Sequence, residues 1–242
     1  MLNLPHTTLS WRRELVLIIA FLVPYDLIRM AAGSDRGVGI RHARDVLGLE
    51  HHLGLDVEAS LNRALAAAPG PEIAAGFWYA GLHYLVTPLV LLVLYRTAPH
   101  RYQRMRLALM IATAVALAGY LLFPTAPPRF LPGYADTMVA TADVGWWTTN
   151  ASAGLNELAA MPSMHVGWAL WCALVLSSLT RRLWLKVLAF AYPVTTTLVV
   201  VATANHWVLD AVAGAALVLG AWRAVVPAPH PERQPAYVAM SG

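Results

Sequence analysis

Apolar residues along this chain come in long runs, separated by polar segments rich in arginine, proline and glycine. A helix that crosses a bilayer needs roughly 20 mostly apolar residues. Candidate spans cover residues 15–30, 76–95, 107–123, 166–179, 184–202 and 208–226. The first is short and contains Pro24, the fourth is short unless it begins near Met164, and Pro193 predicts a kink in the fifth. The pattern predicts an all-α, polytopic membrane bundle of about six transmembrane helices, forming one domain over residues 1–242. No internal repeat divides it.

The segments between the runs carry the orientation. Arg12 and Arg13 precede the first span, and Arg96, Arg101, Arg104 and Arg106 lie between the second and third. Arg181, Arg182 and Lys186 lie between the fourth and fifth, and Arg223 and Arg233 follow the sixth. These segments alternate, so the positive-inside rule makes them and both termini cytoplasmic. The loop over 124–161 sets Asp136, Asp143 and Glu157 against Arg129 alone, and would lie outside. The expected location is the plasma (inner) membrane, with this loop extracytoplasmic. Residues 29–71 are mixed in charge and predict one or two interfacial amphipathic helices on the outer surface. Val46, Leu47, Leu49, Leu53 and Leu55 would supply their apolar stripe. Residues 227–242 read as a proline-rich, disordered tail.

Composition strengthens this picture. Hydrophobic residues make up 58% of 242 and charged residues only 12%, against about 25% charged in a soluble domain. The net charge of +4 is topological, because the arginines cluster at the ends of apolar runs, and nucleic-acid binding is not expected. Cys172 is the single cysteine, so no intrachain disulfide forms. Lys186 is the only lysine, which with many alanines fits a GC-rich genome. Trp11-Arg12-Arg13-Glu14 precedes an apolar run without a small-residue cleavage site, so a retained helix is expected rather than a signal peptide.

Three polar constellations interrupt the apolar background: Pro124-Thr125-Ala126-Pro127-Pro128-Arg129, Pro162-Ser163-Met164-His165, and His206-Trp207-Val208-Leu209-Asp210. The arginine pattern puts all three at one outer face. His206 and Asp210 are four apart and would share a helix face. The carboxylate can then accept from one ring nitrogen and leave the other as a nucleophile. A structural His–Asp pair at a helix start gives the same pattern. Ser163 can cap a helix whose N-terminus would bind phosphate oxygens, and His165 beside it can donate a proton. Arg129 ends a proline-stiffened loop and suits phosphate, although an arginine that snorkels to headgroups would look alike. Asn205 is a further candidate contact. No cluster has metal-ligand spacing: Glu50, His51 and His52 are adjacent and would diverge on a helix. Neither a metal nor a cofactor is expected. His83, four residues after Tyr79, is an intramembrane histidine and so a site candidate. Asp26 and Arg29 are spaced to pair.

The second and third constellations resemble signature motifs of the type-2 phosphatidic acid phosphatase superfamily. The segment Gly119 to Arg129 resembles the first motif of its bacterial inositol phosphorylceramide synthase-like branch, and the likeness extends from about Tyr25 to Ala216. The resemblance implies a six-helix, metal-independent site. His206 would attack phosphorus and form a phosphohistidine, Asp210 would orient it, and His165 would protonate the leaving group. Arg129 falls where the family places a phosphate-binding arginine. The chain departs from the broad pattern at Leu122 and Val200, where the superfamily carries lysine and arginine, and at Phe130, where it carries proline. Two fewer cations fit a less charged phosphate, such as the phosphodiester of a phospholipid. The leading expectation is a lipid phosphotransferase of the outer leaflet, with an alcohol as acceptor. A phosphatase of lipid or polyprenyl (di)phosphates, with water as acceptor, is the alternative. A non-catalytic lipid-binding or transport protein is a third. The oligomeric state is left open.

Overall fold

The computed structural model describes residues 10–31, 35–145 and 158–227. Ten α-helices follow in chain order among them: α1 (Trp11–Ala31), α2 (Arg36–Leu53), α3 (Glu58–Ala66), α4 (Pro69–Phe77), α5 (His83–Thr97), α6 (Pro99–Leu122), α7 (Thr137–Ala140), α8 (Met164–Leu179), α9 (Leu183–Ala202) and α10 (Val208–Val225). No strand occurs among the described residues, and one isolated bridge joins Thr125 to Ala159.

Among the described residues, four helical segments are long and apolar enough to cross a membrane: Pro69–Thr97, Pro99–Leu122, Leu183–Ala202 and Val208–Val225. The first is α4 and α5 fused through a π-turn at Trp78–Leu82. Apolar α8 is shorter, at 16 residues, and begins at Met164. Helix α1 spans 21 residues but keeps Arg12, Arg13, Glu14, Asp26 and Arg29 in its sequence. The chain is therefore a multi-pass membrane protein built as a helical bundle. The 227–242 tail, apart from Pro227, lies outside the described residues, as do Glu157 and Arg233. The side chains of Asp26 and Arg29 are also outside them.

Helix α8 sits at the centre, packed by α5, α6, α9 and α10. Its Trp171, Cys172, Ala173 and Val175 have no exposed surface. The Trp171 indole N–H donates to the Met105 carbonyl at 2.8 Å, which satisfies its one polar atom inside the core. The outward faces are apolar as well. Leu183, Trp184, Val187, Leu188 and Val194 of α9 all point away from the bundle, as expected where the surrounding solvent is hydrocarbon.

The helix directions sort the chain into two ends. Ala98 joins α5 to α6, and Thr180 to Arg182 join α8 to α9. Arg101 Nη1 donates to the Ser178 carbonyl at 3.0 Å, which fixes these two arginine-bearing turns side by side. The end of α6, the starts of α8 and α10, and the end of α9 gather at the opposite end. The three polar constellations are therefore brought to one end of the bundle.

Of the expected interfacial segment 29–71, residues 29–31 end α1, 32–34 lie outside the described residues, and 35–71 fold as the two helices α2 and α3 and the start of α4. Asp35 caps α2, accepting from Val38 N–H at 3.0 Å, and Gly54 ends it with φ of 67°. Its buried stripe differs from the expected one. Gly39, Ala43, Val46 and Glu50 face inward, whereas Leu49 and Leu53 are exposed. The reason is what α2 packs against: the Gly39 carbonyl accepts from Ala126 N–H at 3.0 Å, and Leu158 lies against Gly39. Helices α2 and α3 thus cover the motif end of the bundle.

Candidate active site

The first two constellations are tied by backbone. Thr125 N–H donates to the Leu158 carbonyl at 2.7 Å, and Ala160 N–H to the Thr125 carbonyl at 3.1 Å. The third joins them through Trp207, fully buried, whose indole N–H donates to the Ala126 carbonyl at 3.0 Å. Helices α8 and α10 cross at two glycines. A Cβ on Gly214 would stand 2.0 Å from the Ser163 carbonyl oxygen, and one on Gly167 would stand 3.2 Å from the Gly214 carbonyl. Small residues permit such an approach between membrane helices. The Ser163 N–H also donates to the Asp210 carbonyl at 2.9 Å.

This framework places His165 Nδ1 3.2 Å from His206 Nε2. His206 is buried, and its Nδ1 lies 2.8 Å from the Ala160 carbonyl. A carbonyl only accepts, so Nδ1 carries the hydrogen, and in the neutral ring Nε2 keeps its lone pair. His165 Nδ1–H is then the donor in the contact between the rings. Asp210 Oδ2 is 3.5 Å from His206 Nδ1. The Asp210 carboxyl is nearer to the Trp207 N–H, from which Oδ2 accepts at 2.9 Å. Here the structure differs from the sequence expectation. His206 precedes α10 instead of lying on it, in a turn where Ala204 has φ of 53°. The ring's closest acceptor is a backbone carbonyl, with the carboxyl behind it.

The other candidates fall around this pair. Arg129 Nε donates to Asn205 Oδ1 at 2.9 Å, and Nη1 reaches Asp136 Oδ2 at 3.2 Å. Asn205 spends its amide on Thr203 Oγ1 at 2.9 Å, so its polar atoms hold Arg129 and the turn. Ser163 occupies the N-cap of α8 but makes no side-chain cap bond. Its buried hydroxyl has no hydrogen-bond partner among the described residues. The π-turn brings Tyr79 and His83 to His165: Tyr79 stacks on it at 4.4 Å, and His83 meets it edge-on at 4.5 Å. Such turns recur at functional sites. His51, His52 and Glu50 diverge, His51 to Asp56, His52 to the Gly48 carbonyl and Glu50 to Leu209 N–H.

The model of the PAP2 superfamily matches residues 44–224, three quarters of the chain and all three constellations. The chain belongs to the PAP2 superfamily. No match was found for this PAP2 protein among curated proteins or among solved structures.

Two site neighbours of the PAP2 protein escape sequence reading. Glu50 of α2 and Glu58 of α3 are fully buried. Glu50 Oε1 accepts from Leu209 N–H at 2.7 Å, and Glu58 Oε1 from Val208 N–H at 2.9 Å. Both donors belong to the first turn of α10, whose N–H groups have no partner within the helix. Asn62 of α3 completes the cover, donating to the Ala135 and Ala202 carbonyls at 3.1 Å each. The available signal was the spacing of Gly39, Ala43, Val46 and Glu50, which puts Glu50 on an inward helical stripe.

Proposed function

We propose that this PAP2 protein is a membrane lipid phosphotransferase that works through a phosphohistidine. The observation that carries the reading is the 3.2 Å approach of His165 Nδ1 to His206 Nε2, with His206 Nδ1–H held by Ala160. It supports a neutral imidazole whose lone pair faces a proton donor. A phosphate that displaces His165 from the 3.2 Å contact sets its phosphorus against Nε2 and its leaving oxygen against His165 Nδ1–H. His206 Nε2 forms the P–N bond while the bond to the leaving oxygen breaks, and His165 supplies the proton. Asp210 offsets the positive charge that develops on the His206 ring. An alcohol then attacks phosphorus, the P–N bond breaks, and His165 takes up the alcohol's proton. Arg129, set by Asn205, serves the phosphate oxygens, and the Ser163 hydroxyl is a further donor to them.

Two features favour a phosphodiester lipid as the donor. Leu122 is 82% exposed and Val200 is fully buried, so neither cation of the broad superfamily pattern is replaced at its own position. A cavity of 590 Å³ opens among α1, α5, α6 and α8. Leu91, Leu92, Leu109 and Met110 line it, and it reaches His83, whose ring meets His165. That is within the volume range of ligand pockets and suits a hydrocarbon chain. The arginine-bearing turns at the other end favour an extracytoplasmic site in the plasma membrane.

Superfamily membership also favours a second reading, in which water resolves the intermediate and the enzyme is a lipid phosphate phosphatase. One experiment separates them. The full chain in nanodiscs, with EDTA, is incubated with labelled phospholipids and polyprenyl phosphates, with and without inositol or glycerol, beside His206→Ala. A new phosphodiester that requires the alcohol, and is lost in the variant, supports transfer. Free phosphate alone establishes the phosphatase, and no product from any lipid leaves a non-catalytic lipid-binding protein.

A further inference from the structure

Three carboxyl groups converge on the start of α10. Asp210 accepts from Trp207 N–H at 2.9 Å, Glu58 from Val208 N–H at 2.9 Å and Glu50 from Leu209 N–H at 2.7 Å. Glu50 and Glu58 each use Oε1. The second oxygen of each, Oε2, is buried and has no donor among the described residues. Two neighbouring carboxylates buried together, each with an acceptor left over, repel one another and leave two lone-pair sites unmet. One proton between them removes both penalties, because a protonated carboxyl donates to the other. The neighbouring amides of Val208 and Leu209 hold the two Oε1 atoms, which brings the carboxyls together, within side-chain hydrogen-bond reach of each other.

We propose that Glu50 and Glu58 share one proton and act together as positioning residues, through which the α2–α3 cover holds the first turn of α10 and with it His206. The pair keeps a single negative charge, which faces the positive end of the helix. The titratable groups around it are Asp210 on α10 and Tyr134 in the loop after Arg129, both anionic when ionised, and Asp56 between α2 and α3 acts in turn on Tyr134. Arg63 of α3 opposes the upward shift of Tyr134. Burial pushes the Glu50 carboxyl up to about 9, with Glu58 and Asp210 adding to the rise and the Leu209 amide opposing it. Tyr134 is pushed up to about 12 by burial and then by the charges of Glu58 and Glu50. The proposal rests on the preceding reading only in taking His206 as the reacting group.

The test does not depend on turnover. Infrared spectra of the full chain in nanodiscs at neutral pH should contain a protonated carboxyl band, and that band should be lost in both Glu50→Gln and Glu58→Gln. In each variant the amide N–H replaces the shared proton, so slow hydrogen exchange at Val208 and Leu209 should persist. So should the Nδ1–H signal of His206 in nitrogen NMR. Glu50→Leu removes the acceptor. It should raise exchange at Leu209 at least about tenfold and turn the single His206 tautomer into a mixture. A carboxyl band that survives in both glutamine variants overturns the shared proton. A Glu50→Leu protein with wild-type exchange and an unchanged His206 signal overturns the positioning role. If Glu50→Leu fails to fold, the glutamine variants still decide, because loss of amide protection in Glu50→Gln is equally fatal. Failure of lipid transfer with these signatures intact would defeat the functional reading and leave this one standing.

Discussion

The two ends of this bundle are made from the same helices and solve opposite problems. At the arginine end the connections are short, Ala98 between α5 and α6 and three residues between α8 and α9. The cations there are solvated, rest on a carbonyl, as Arg101 does on Ser178, or pair with an acid, as Arg106 does with Glu14. At the motif end the connections are long, and polar groups are buried, most side chains holding at least one hydrogen bond. His206, Asp210, Glu50, Glu58, Asn62 and Asn205 all have little or no exposed surface. One end tolerates change because water can replace a lost partner. The other holds its histidines at fixed distances because nothing can.

Substitutions can break that contrast, and the helix crossing should be the most damaging place to try outside the reacting groups. Gly214→Ala puts a Cβ 2.0 Å from the Ser163 carbonyl oxygen, so α8 and α10 must separate. A shift of about 1 Å at a reacting pair can cost about a hundredfold in rate, and overpacking costs about 1–3 kcal/mol in stability. Turnover of labelled lipid and helical circular dichroism on heating would read both. Asp210→Asn is expected to cost about tenfold in rate, less than the crossing, because the Ala160 carbonyl at 2.8 Å still selects the tautomer and the carboxylate stands at 3.5 Å. A loss as large as that of His206→Ala would mean that Asp210, and not Ala160, orients the ring.

A titration sharpens the comparison further. Glu50 has an ordinary value of 4.5 and a native value of about 9. Between those limits the folded protein binds more protons than the unfolded chain, so stability falls as pH rises. The contribution is fully present below about 4.5 and is lost by about 9. Thermal unfolding in detergent should therefore drop in midpoint across this window, and Glu50→Gln should flatten the curve. A flat wild-type curve would place the Glu50 carboxyl in contact with water. The smallest effect belongs to the arginine end. Arg101→Ala removes one hydrogen bond, worth about 1 kcal/mol, and should leave lipid turnover within about twofold. A tenfold loss there would show the two ends to be coupled.

Much of this was legible along the chain, and for physical reasons. The four long apolar helices are local features, and the span expected over 184–202 appears as Leu183–Ala202. The gathering of the constellations at one end followed from arginine positions, because charge and hydropathy act on the chain segment by segment. What the sequence concealed is what depends on backbone groups and on distant partners. A carbonyl such as Ala160 carries no side-chain signature. Glu50 sat in a mixed-charge helix that read as an interfacial surface, and only its inward stripe distinguishes it. Leu49 and Leu53 misled because a helix at a membrane surface has two faces that can bury apolar groups, one on protein and one on lipid. Tyr79 and His83 were visible as a pair, but the π-turn that presents both to His165 was not.

The acceptors Glu50 and Glu58 find their donors 159 and 150 residues further along the chain. During synthesis these acids therefore exist without their counterparts until α10 has left the ribosome and entered the membrane. A chain interrupted before α10 is left with two acidic side chains that lack the amides they accept from. The reactive centre is thus assembled only once α10 is in place.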